Sequence, residues 1–125
     1  MKDQRRHFRY RLRWPAALLI GQEAGGGQLI EGRLHDLSVG GASVLTELHL
    51  RSVERLTLVL LPPPLIRGQE QKTITVHSKL VYSVYSNDHM CFRAGLQFVR
   101  FDADGRYLLE ERLSHHLPVF ERAPA

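Results

Sequence analysis

Short apolar runs rich in β-branched and aromatic residues recur along most of the chain, and glycine or proline punctuates them. This spacing constrains the fold more than any other feature. Residues 12–20 carry one such run, and residues 28–34 carry a second behind the glycine tip Ala24-Gly25-Gly26-Gly27, so the two read as a hairpin pair. Pro15 cannot donate to a ladder and is expected at an edge or a bulge. After Gly40 and Gly41 come residues 42–45, then residues 56–61, which Pro62, Pro63 and Pro64 stop. A segment over residues 73–85, a turn at Ser86-Asn87-Asp88 and a last strand over residues 90–101 complete the set. The pattern predicts an antiparallel barrel or sandwich. The period changes only near the end. Asp102 can cap a helix, and Tyr107, Leu108, Glu111, Arg112, Leu113 and Leu117 follow at helical spacing until Pro118. Leu109, Leu113 and Leu117 would form the stripe that packs on the strands.

The chain of 125 residues is the size of one ordinary domain, long enough to bury a core without staples. Apolar residues at 43% and charged residues at 24% are near globular averages and suggest neither a disordered nor a membrane class. With Cys91 as its one cysteine, the chain can form no internal disulfide, which fits a reducing compartment. The polar start lacks the apolar run of a secretory signal. The most apolar stretch, residues 56–65, is too short to span a bilayer. A cytoplasmic location without membrane insertion is expected. The net charge of +4 is uneven: residues 1–13 hold six basic residues against Asp3, leaving 11 basic and 12 acidic for the rest of the chain's 17 and 13. A solvated terminus accounts for such an arm; a local anion site accounts for it more sharply.

Enzyme chemistry finds little support. His35, Asp36 and Ser38 invite a triad, but in an extended segment His35 points away from the other two. No nucleophile elbow is present. Seven histidines include one adjacent pair, His115 and His116, whose rings diverge on a helix, and no ligand spacing involves Cys91. No metal or cofactor is expected. The glycines at 25–27 lack the Lys-Ser/Thr end of a phosphate loop.

Two segments stand out. In Arg5-Arg6-His7-Phe8-Arg9, guanidinium groups suit forked contacts with phosphate oxygens and with the O6/N7 edge of guanine. In Asp36-Leu37-Ser38-Val39-Gly40-Gly41, Asp36 and Ser38 share a face, and a carboxylate is what guanine's N1–H and N2 amino donors need. Gly40 and Gly41 permit positive φ and clear space for a flat base. By itself that turn also reads as a Ser or Asx turn entering a strand.

Taken in order, Arg5-x-x-x-Arg9 followed by Asp36-x-Ser38-x-x-Gly41 resembles the PilZ domain family. Trp14-Pro15, the strand Gly95-Leu96-Gln97-Phe98 and the terminal helix are similar too, so the likeness spans nearly the whole chain. It implies a six-stranded antiparallel barrel with a C-terminal helix. It also implies a non-enzymatic receptor for the bacterial second messenger cyclic di-GMP, held by Arg5, Arg6, Arg9, Asp36, Ser38, Gly40 and Gly41. The expected division is an arginine-rich flexible arm over 1–10, a barrel over 11–101, a helix over 102–118 and a tail over 119–125. Ligand would order the arm and present a new surface to a separate effector protein. Whether one ligand or a stacked pair binds turns on the arm near Gln4 and Arg5. The competing readings are a nucleic-acid-binding barrel, favoured by pI ≈ 9.6 but disfavoured by charge confined to one arm, and an interaction domain without ligand.

Overall fold

A computed structural model describes residues 8–21, 27–50 and 52–119. Six strands, β1 (Pro15–Ile20), β2 (Gln28–Leu37), β3 (Gly41–Thr46), β4 (Arg55–Leu60), β5 (Ile74–Ser86) and β6 (Cys91–Phe101), precede one helix, α1 (Gly105–Leu113). The strands close into a barrel in the order β1-β2-β3-β6-β5-β4, with every neighbouring pair antiparallel. This is the barrel alternative of the two architectures that the short, punctuated runs allowed. Closure leaves no run of unpaired edge through the body of the sheet.

Residues that alternate along each strand meet inside. One layer runs Leu18–Leu58–Val76 across β1, β4 and β5, and all three side chains are fully buried. The predicted hairpin forms, with Ile20 opposite Gln28 and Pro15 opposite Arg33. Pro15 is the first residue of β1, where its missing N–H costs no ladder bond, and its carbonyl accepts the Leu61 N–H at 3.1 Å. Alternation starts before the strand, so Leu12 and Trp14 are also in the core.

The helix is shorter than the expected 102–118. Its N-cap is Asp104, which makes no side-chain capping bond, and Ala103 before it has φ 49°. The Asp102 carboxylate is engaged elsewhere: His77 Nε2 donates to its Oδ1 at 2.9 Å. At the other end the His115 and His116 N–H groups reach back three residues, to Arg112 and Leu113, and tighten the chain out of the helix. Leu109 and Leu113 join the core, whereas Leu117 lies past the last turn and is 90% exposed. It is therefore not part of the packing stripe.

Truncating the central layer should be costly. Leu58→Ala is expected to lower unfolding free energy by about 2–5 kcal/mol, read as a reduced urea midpoint with an unchanged slope.

Candidate functional site

The segment before β1 is fastened to the end of β2. The Tyr10 N–H donates to the Leu37 carbonyl, and the Leu37 N–H donates to the Tyr10 carbonyl, both at 2.8 Å. Pairing thus begins at residues 9 and 10, inside the segment expected as free arm. On the other side of the strap, the Val119 N–H donates to the Arg9 carbonyl at 2.8 Å. These bonds leave the Arg9 side chain beside β2, with its Nη2 4.0 Å from Asp36 Oδ2. Arg5 and Arg6 lie outside the described residues.

Past Leu37 the chain turns sharply, and Ser38 closes the turn. Its Oγ accepts the N–H groups of Gly40 (3.2 Å) and Gly41 (3.1 Å), and its own N–H donates to the Gly41 carbonyl at 2.8 Å. The Ser-turn reading of this motif therefore holds for Ser38: its hydroxyl shapes the backbone. The Phe98 N–H donates to the Gly40 carbonyl at 3.0 Å and anchors the turn to β6. The reason for glycine differs from the one expected. Neither Gly40 nor Gly41 has positive φ. A Cβ on Gly41 would instead lie 2.5 Å from the Leu96 carbonyl oxygen, so close approach of β3 to β6 excludes a side chain.

Beyond the turn, one cross-strand row forms the floor of a cleft of about 1060 Å³. Asp36 pairs with Ser43, Ser43 with Gly95, and Gly95 with Tyr82, across β2, β3, β6 and β5. A bulge after Leu34 sets Asp36 in this register. The Tyr82 ring lies directly on Gly95, in space that any Cβ would occupy, and the Arg93 guanidinium stands 5.8 Å from that ring. Arg9, Asp36, Ser38, Gly40 and Gly41 all line this cleft. At its far end it gains Arg100 and Arg106, and Arg106 Nε donates to Glu110 Oε1 at 3.0 Å. Sequence reasoning missed Tyr82, Arg100 and Arg106. Tyr82 carried a faint signal, a tyrosine on one strand and a glycine on the next, but only the register joins them.

His35 turns away from this row and packs edge-on against His89, with ring centroids 5.0 Å apart. Among the described residues no group of three His, Cys, Asp or Glu side chains is gathered to hold a metal ion, and no helix is long and apolar enough to cross a membrane.

The PilZ domain family model matches residues 3–115. This chain belongs to the PilZ domain family. Several solved structures share the PilZ fold. MotI/DgrA, the inhibitor of motility of Bacillus subtilis, has a TM-score of 0.70 at 16% identity, over 91% of this chain and 52% of its own. The PilZ domain of YcgR from Escherichia coli, solved with c-di-GMP, has a TM-score of 0.58 at 18% identity, over 89% and 88%. MrkH of K. pneumonia, in complex with c-di-GMP, has a TM-score of 0.55 at 20% identity, over 91% and 52%. The chain thus spans about half the length of MotI/DgrA and MrkH. No curated protein matches it.

Two outcomes follow for this part of the PilZ barrel. Gly41→Ala forces β3 from β6 and should cost about 1–3 kcal/mol, read by thermal unfolding. Burial holds the His35 imidazole below the ordinary value; Asp36 pulls the other way, while His89, Arg93 and Arg11 add to the lowering. The folded protein then binds this proton less readily than the unfolded chain. The associated stability is complete above the unfolded pKa of about 6.5 and is lost as pH falls from there through the lowered folded value. His35→Gln should flatten the decline in denaturant midpoint as pH falls below about 6.5.

Proposed function

We propose that this PilZ domain is a receptor for cyclic di-GMP, bound in the cleft between Arg9 and the 36–41 turn. The observation that carries the reading is that Arg9 and Asp36 stand side by side over one cleft of about 1060 Å³. A guanine nucleotide needs both of these groups. The volume is ample for a ligand of this size. The structures of the YcgR PilZ domain and of MrkH with c-di-GMP support the same ligand class here.

The chemistry divides between the two partners. The Asp36 carboxylate accepts from the N1–H and N2 amino groups of one guanine. The Arg9 guanidinium forks onto a phosphate or onto the O6/N7 edge. In the free protein these side chains are in a partly exposed contact at 4.0 Å, worth about 0–1 kcal/mol, so exchanging it for ligand contacts costs little. Arg5 and Arg6 precede a strap whose root is fixed by the Tyr10–Leu37 pair. A dianionic ligand would draw these arginines over the cleft and leave the arm in a single arrangement. A separate effector protein would then read that surface. The molecule is a receptor in this reading rather than an enzyme: Ser38, the nearest hydroxyl to Asp36 in sequence, is engaged by the turn. Its setting is the bacterial cytoplasm. Gly40 and Gly41 contribute by keeping the turn flat against β6.

Isothermal titration of the chain with cyclic di-GMP tests the reading, and absence of heat at micromolar concentrations would sink it. Arg5→Ala, Arg9→Ala and Asp36→Ala should each weaken binding roughly ten- to a hundredfold, since a hydrogen bond to a charged group is worth about 1.5–3 kcal/mol. A variant that binds like the parent removes that residue from the site.

A further inference from the structure

Within the cleft floor, Ser43 is anomalous. It is 4% exposed, and its Oγ is shielded from water without any hydrogen-bond partner. Buried hydroxyls are almost always paired, and an unpaired one is destabilising to the free fold. Packing gives no reason for the hydroxyl. The inward neighbours on β3, Ala42 and Val44, fill the core, while Ser43 lies on the opposite face among the cleft residues. Its cross-strand partners are Asp36 on one side and Gly95, covered by the Tyr82 ring, on the other. A donor and acceptor thus sits between a carboxylate and an aromatic surface.

We infer that Ser43 is a specificity-determining residue that reads the carbonyl edge of the bound purine. The inference rests on the cyclic di-GMP reading above. With Asp36 accepting from N1–H and the N2 amino group, the adjacent position on the same base edge is O6, an acceptor. The Ser43 hydroxyl is the neighbouring group in the row that can donate to it. Its χ1 has staggered alternatives, so the hydroxyl can turn toward a base seated over the row. Adenine carries an amino donor at position 6 and a bare acceptor at N1. It faces Asp36 with the wrong polarity at N1, and Ser43 would have to reverse from donor to acceptor to meet the amino group. Two residues on adjacent strands would then check the two ends of one base edge, which gives stronger discrimination than either alone.

Titration calorimetry of the parent chain and Ser43→Ala against cyclic di-GMP and cyclic di-AMP, with thermal unfolding of both free proteins, tests this. Ser43→Ala should bind cyclic di-GMP about tenfold more weakly. Its preference for cyclic di-GMP over cyclic di-AMP should narrow by a similar factor, and its free-state Tm should hold or rise. Equal affinity and equal preference in the two proteins would overturn the role of Ser43 alone. A lowered free-state Tm would assign the hydroxyl to the fold and overturn it as well. A parent chain that binds neither dinucleotide would overturn the nucleotide reading itself, and this inference with it.

Discussion

Two backbone hydrogen bonds between Tyr10 and Leu37 tie the amino-terminal segment to the end of β2. The place of Arg9 over the cleft depends on where they are made. Slide the strap by one residue and Arg9 would face away from Asp36, because side chains alternate along extended backbone. The closed barrel supplies a floor whose register is over-determined, since each strand is paired on both sides. The strap then adds a wall to that floor at a defined height. A flexible arginine-rich segment on an open sheet would have neither property.

Around the cleft, the polar groups and the packed core lie on opposite sides of the sheet. The layer of Leu18, Leu58 and Val76 fills the interior, whereas Asp36, Ser43 and Arg100 lie on the cleft side of β2, β3 and β6. Stability and recognition are therefore carried by opposite faces of the same strands. Ser38 is the exception that joins them. Its hydroxyl satisfies the Gly40 and Gly41 N–H groups within a tight turn that itself lines the cleft. The motif reads as a ligand signature in sequence, yet half of it is a device for bending the chain.

Much of this was legible beforehand. Short β-branched and aromatic runs predicted the strands, the three prolines after Leu61 marked the end of β4, and paired motifs pointed to the barrel family. The misreadings share a cause. Asp102 was read as a cap because local spacing allowed it, but His77, 25 residues away, takes its carboxylate. Leu117 continued the helical stripe on paper, although the chain had already tightened out of the helix. The glycine at 41 was explained by its own φ, when the deciding atom belongs to Leu96 on another strand. Tyr82, Arg100 and Arg106 reach the cleft through pairings between distant segments, and Ser43 matters through its neighbours across the sheet. Local patterns reveal what each residue can do. Register decides which residues do it together.

The contact of Tyr82 with Gly95 has a consequence for how this surface can change over time. The ring occupies the volume that a side chain at 95 would need. A lineage that gained a side chain at 95 would have to shrink or displace the residue at 82, and a lineage that lost the ring would open a slot beside Ser43. The coupling between these two positions, 13 residues apart in the chain, runs one way: residue 82 can shrink alone, but a side chain at 95 must wait for it, and either change would recut the cleft floor.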